Sequence, residues 1–180
     1  MATVLPVIQG DMGSTTYWIG KMGARELVSS VRPASEVDDW ASLSIEERMQ
    51  RDLNMSRVRK EIVPYLAHSP DRFFNAFVIL IYNAKVTFEA LQDIGSKVPA
   101  AYKSVASDLG FLTIEDGELI ALDGQHRLAA LREVIQSGKV SGEHVGEVPS
   151  DELEVVFVDF DNSDPAGSSE KIRRIFNKLN

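Results

Sequence analysis

The spacing of apolar and polar positions changes from block to block along this chain. Residues 4–33 alternate short apolar stretches with Gly-containing turns. Tyr17, Trp18 and Ile19 read as a strand between Gly13 and Gly20. Ala24 to Val31 fits either a second strand or a helical turn, and Pro33 ends it. Ser44-Ile45-Glu46-Glu47 has capping-box spacing and predicts a helix start. Met49 and Leu53, then Val58, Ile62, Tyr65 and Leu66, fall at helical intervals. Pro64 lacks an amide proton, which predicts two helices or one kinked helix between Ile45 and Ala67. Ser69-Pro70-Asp71 reads as a turn.

Phe73 to Tyr82 is dense in Phe, Val and Ile and predicts a buried central strand. Val86 to Leu91 reads as a strand, and Pro99 to Leu109 as a short helix or ordered loop. Phe111–Ile114, Asp116-Gly117 and Leu119–Leu122 predict a hairpin. Leu128, Leu131, Val134 and Ile135 share one face of a helix from about Gln125 to Gln136, and Gly138 fits its stop. A polar connection covers 137–152, and Leu153 to Phe160 forms a second strong strand. A loop follows, then a helix capped by Ser168 or Ser169 with Ile172, Ile175, Phe176 and Leu179 on one face. Alternating strands and helices predict an α/β (mixed α+β) domain with one main mixed sheet flanked by helices. One domain is expected over 1–180, with residues 1–40 a β-rich extension.

A chain of 180 residues buries roughly 70% of its unfolded surface and needs no metal or disulfide to hold a core. No apolar stretch approaches the roughly 20 residues of a membrane span, and residues 1–10 lack a secretory pattern. The absence of cysteine fits a reducing compartment, so a cytoplasmic location is expected. It also excludes a thiol nucleophile, a persulfide carrier and Cys-ligated zinc in this chain. The formal charge is −8, with 8 Lys/Arg against 15 Asp/Glu in residues 101–180. DNA-coating domains are usually basic, so this domain by itself is expected to bind nucleic acid weakly.

The candidate chemistry sits at Asp123-Gly124-Gln125-His126-Arg127, between a strand and a helix. Helix N-terminal amides lack internal partners and carry partial positive charge, which suits a phosphate. Gly124 removes a side chain where a phosphate would approach, and Arg127 can fork onto phosphate oxygens. His126 can donate to phosphate or move a proton near neutral pH. Asp123 can cap the helix, or hold a magnesium-bound water or a ribose hydroxyl. Gln125 can recognise a base, hydroxyl or amide. A common Asp-Gly turn followed by solvated His and Arg is the plainer reading of the same residues.

The five residues resemble the motif of the DGQHR-domain family. Its members include DndB-like proteins of bacterial DNA phosphorothioation systems, and it is related to ParB N-terminal and sulfiredoxin folds. Met49-Gln50-Arg51-Asp52-Leu53 resembles the Gln-Arg box before the motif, and Arg173 to Asn180 its Phe-x-x-x-Asn segment. The resemblance spans 45–180 in outline. It implies a ParB/sulfiredoxin-like fold and a nucleoside triphosphate, ATP or another, together with Mg2+, beside the Gly124–Arg127 loop. Within it, Gln50 and Arg51 join Gly124, Gln125, His126 and Arg127 in phosphate binding. His126 and Asp123 are the candidate catalytic groups if ATP is hydrolysed. It further implies a role in regulating DNA modification, partnership with other DNA-modification proteins, and DNA contact through a further C-terminal region. Sulfiredoxins carry cysteine where this chain has Gln125, so sulfinic acid reduction is excluded.

Other residues carry less. Arg57, Arg59 and Lys60 read as a solvated helix face, Trp18 and Trp40 as packing anchors, and His68 as a turn residue. His144 lacks metal-ligand spacing, and Asp159, Asp161 and Asp164 read as loop acids. The main alternative to a nucleotide domain is a non-enzymatic regulator or interaction module whose DGQHR loop is structural.

Overall fold

Two-residue alternation builds the N-terminal strands, β1 (Thr3–Met12) and β2 (Thr15–Gly23). In β1, Leu5 and Val7 point inward while Val4, Pro6 and Ile8 point outward. This is a computed structural model, and it describes residues 2–33, 53–95 and 97–160, together with Asp164, 166–168, Glu170 and Arg174. The Ser44 capping box, Gln50, Arg51, Trp40 and most of the C-terminal Phe-x-x-x-Asn segment lie outside the described residues.

Ala24–Ser30 is a helix, α1, and Val31–Pro33 a short strand, β3. Helix α2 runs through an α turn at Met55–Arg57, a π-helical stretch at Val58–Ile62 and an α segment at Val63–His68. Pro64 therefore does not divide it. The π-helical stretch directly before it shifts the bonding ladder and lets the helix pass the proline. Then follow β4 (Phe77–Tyr82), β5 (Lys85–Ala90), the short α3 (Lys103–Ala106) and β6 (Leu109–Glu115). The strand β7 (Glu118–Asp123), the helix α4 (Gln125–Gln136) and β8 (Glu152–Asp159) complete the described elements. Gly138 has φ 63°, the left-handed backbone expected just past a helix end.

All eight strands join one mixed sheet in the order β3-β7-β4-β8-β2-β1-β6-β5. The predicted mixed α/β class with one main sheet and flanking helices is thus observed. β4 is parallel to β8 and antiparallel to β7, the central buried strand expected. Within residues 2–33, β2 lies between β8 and β1 inside the sheet. Ile79, Ile81, Phe77 and Phe157 pack with Leu128, Leu131, Leu27 and Leu66 in the core. That burial supplies most of the driving force.

The predicted hairpin does not form. β6 pairs with β1 and β5, whereas β7 pairs with β3 and β4. Tyr82 faces Glu118 and Lys85 faces Glu115, so the register runs unbroken through both connections. Strands β4–β5 and β6–β7 are one long antiparallel ribbon, bent together at a corner. Asn83, Asp116 and Gly117 take positive φ of 52°, 61° and 69° there. A Cβ on Gly117 would stand 2.5 Å from the Tyr82 carbonyl, so the two bends nest closely. Left-handed residues suit a reversal and a corner alike, and the partner strand decides between them.

The cap of the last helical stretch also differs from expectation. Asp164 Oδ1 accepts from the Gly167 amide at 3.0 Å, and Ser168 is already helical. Asp164 is therefore a capping residue rather than a loop acid.

Arg72 went unnoticed in the sequence. Its side chain is 9% exposed. It donates to both Asp151 oxygens at 2.6 and 2.8 Å and to the Ser69 carbonyl at 3.3 Å. The guanidinium ties the turn after α2 to the entry of β8, and Asp151 holds its pKa above the ordinary value. Arg72→Leu should cost about 2 kcal/mol, because it leaves Asp151 without its forked partner. Urea denaturation measures this. A loss under about 0.5 kcal/mol would place the pair with ordinary surface ion pairs.

Candidate functional site

Asp123 ends β7, Gly124 turns the chain and Gln125 begins α4. The expected strand–turn–helix placement is therefore present. Gly124 has φ 95°, ψ 12°, and its carbonyl accepts from Leu128 N–H at 2.8 Å. No side chain caps the helix. The first amides of a helix lie beyond its own ladder of carbonyls.

The side chains of the motif are directed differently from the sequence reading. Asp123 does not cap α4; its Oδ2 accepts from Arg127 Nη2 at 2.7 Å. Arg127 does not face an open groove: its side chain is 14% exposed. Its Nη1 donates to Asn75 Oδ1 at 2.8 Å and to the Asn75 carbonyl, and both Nη atoms reach the Ala76 carbonyl at 3.4 Å. The guanidinium lies 4.6 Å from the centre of the Phe77 ring. Burial lowers its pKa from the ordinary value and the Asp123 carboxylate opposes that shift. It stays charged regardless.

His126 Nε2 accepts from the Asn54 amide at 3.0 Å. That bond requires a lone pair on Nε2. Asn54 Oδ1 in turn accepts from Arg57 N–H at 3.0 Å and caps the start of α2. Gly124 is needed for close packing as well as for its φ: a Cβ would stand 2.5 Å from Phe77 and 3.2 Å from Arg127 Nη2. The motif thus joins β7 and α4 to the 75–77 approach of β4 through Arg127, and to α2 through His126. Asn54, Asn75 and Ala76 were missed in the sequence, because backbone and amide partners leave no pattern there.

The described residues leave one face of α4 open beside this hub. A groove of about 500 Å3 runs along it from Gln125 past Ala129 and Arg132 to Gln136, walled by Pro33, Leu53, Arg59 and Lys139. Gln125, Ala129, Arg132 and Gln136 fall at i, i+4, i+7 and i+11, a stripe legible in the sequence. Arg59 Nε is 3.1 Å from Glu133, and Arg132 Nη2 donates to the Val31 carbonyl at 3.0 Å. Lys139 is exposed. No group of three or more metal-ligating side chains converges among the described residues. No helix among them is long and apolar enough to cross a membrane.

The DndB family model, described as DNA-sulfur modification-associated, matches residues 5–180. This chain belongs to the DndB family. No curated protein and no solved structure matched it. The match reaches well beyond the five-residue motif, taking in the β1–β2 strands and α4 alike. Membership links this DndB-family chain to DNA sulfur modification. The ParB-like kinship rests on the motif resemblance.

Proposed function

We propose that the chain is the nucleotide-binding domain of a DndB-family protein acting in bacterial DNA sulfur modification and its regulation. The observation that carries this reading is the groove along α4, which starts at the helix N-terminus and is lined, among the described residues, by Arg59, Arg132 and Lys139 with Glu133 as the one acid. Its volume suits a nucleotide-sized ligand. A nucleoside triphosphate, ATP or another, would set its phosphates against the first-turn amides from Gly124 to Arg127. Gln125 and Arg132 would meet the phosphate end from the helix, and Lys139, past the other end of α4, would meet the nucleoside. The motif resemblance assigns Gln50 and Arg51 to the same ligand. Magnesium would accompany the phosphates. Such a domain works where bacterial DNA lies, in the cytoplasm, alongside other DNA-modification proteins.

The reading favours binding over hydrolysis. Asp123 is held by Arg127, and His126 Nε2 is taken by the Asn54 amide. Either group would have to leave its partner before moving a proton.

Thermal melting with ATP, GTP and CTP, each with magnesium, tests the proposal. A ligand at 100 times its Kd stabilises by about 2.7 kcal/mol. For a chain of this size that raises Tm by roughly 5–10 °C. Lys139→Ala should leave the ligand-free Tm in place and weaken binding by about threefold to tenfold. No shift with any of the three nucleotides would remove the proposal. The regulator reading, in which the DGQHR turn is structural, would then take its place. Its supporting observation is the engagement of Arg127 and His126 with protein groups.

A further inference from the structure

β5 is the outermost strand of the sheet and is bonded to β6 on one side. Among the described residues no strand pairs with its other edge. The Leu91 amide donates to the Leu109 carbonyl at 2.7 Å, which sets the phase of this ladder. Antiparallel ladders alternate, so Thr87 and Glu89 exchange bonds with Thr113 and Phe111. The amides and carbonyls of Val86 and Phe88 then point away from the sheet. Lys85, Thr87 and Glu89 are exposed on the outer face, while Val86 and Phe88 are half-buried on the other.

Free edges are commonly blunted by proline, by a bulge or by an inward-pointing charge. β5 has no proline, and its register with β6 is regular from Lys85 to Ala90. Its two charges are of opposite sign and sit symmetrically about Thr87. That arrangement is complementary to itself under a two-fold axis, as an isologous contact requires.

We propose that β5 pairs antiparallel with β5 of a second copy of this chain, Thr87 opposite Thr87, so that one sheet runs through both protomers. In this register Val86 faces the partner's Phe88, and their outward amides and carbonyls close four backbone hydrogen bonds. Lys85 faces the partner's Glu89, and Glu89 the partner's Lys85. These are positions without a mutual backbone bond, where facing side chains come closest. Lys85 Nζ also lies 2.8 Å from Glu115 in its own chain, so Glu89 is the cleaner position to vary.

Sedimentation velocity on the full chain tests this, over roughly 1–100 μM. The mass of the wild type should rise from 19.9 kDa towards twice that value with concentration. Glu89→Lys alone sets like charges opposite each other at two symmetric positions and should weaken the dimer about tenfold. The double variant Lys85→Glu/Glu89→Lys should restore most of the affinity. Val86→Pro removes an outward amide without breaking a bond to β6 and should abolish dimerisation. Circular dichroism confirms that each variant is folded. A wild type that stays monomeric throughout overturns the proposal. So does a dimer that neither Glu89→Lys nor Val86→Pro weakens, or one that the double variant fails to restore.

Discussion

Arg127→Ala is expected to destabilise the folded chain by about 3 kcal/mol, the range for removing one partner of a buried, hydrogen-bonded charge. The truncation removes charge-assisted bonds to Asn75 Oδ1 and Asp123, and contacts to the Asn75 and Ala76 carbonyls. It also removes the cation from the Phe77 face. The Asp123 carboxylate is left without its counter-charge, although partial exposure to water moderates that loss. Arg127→Lys should recover little, because an ammonium cannot span these partners as a planar fork does. Asp123→Asn should cost less, since an amide oxygen can still accept from Nη2. Urea denaturation of the three variants gives the ranking. A cost below about 1 kcal/mol for Arg127→Ala would show that the turn holds without its guanidinium. The sequence suggests the reverse pattern, an exposed arginine whose loss weakens ligand affinity more than stability. Nucleotide binding is therefore better probed at Lys139, which does not hold the turn together.

Gly124→Ala should cost about 4 kcal/mol. Two effects combine. Holding a non-glycine residue at positive φ costs roughly 1–3 kcal/mol, and forcing volume into a packed site costs roughly 1–3 more. Here φ is 95°, and the new Cβ would stand 2.5 Å from a Phe77 ring that is itself fully buried. Gly138 supplies the control, with φ 63° and nothing within 4 Å of a built Cβ. Gly138→Ala should therefore cost only the backbone part, about 1 kcal/mol. The comparison is read from melting curves of the two variants. Equal losses would mean that Phe77 yields freely and that packing does not constrain the turn.

The segments legible in the sequence are those whose structure depends on neighbours a few residues away. The apolar stripe of Leu128, Leu131 and Val134, the turn at Gly124 and the stop at Gly138 place α4 at Gln125–Gln136, as expected. The run from Leu153 to Phe160 gives β8 within one residue at each end. Helical periodicity, the two-residue pleat and the φ tolerance of glycine act locally and so are written in order along the chain. What the sequence could not decide is which distant element each segment meets. Leu109–Glu115 alternates and Glu118–Asp123 is a short buried apolar run, both of them strand patterns, yet an eight-strand arrangement makes their connection a corner instead of a reversal. The N-terminal strands became interior because β8, more than a hundred residues later, pairs with β2. Arg127 turned inward because Asn75 and Ala76 offer carbonyls and Phe77 offers a ring at that point in space. Backbone oxygens are present at every residue, so no sequence pattern marks the few that a buried guanidinium finds. The destination of a side chain depends on desolvation and on partners brought by the fold, and only the tertiary structure supplies both.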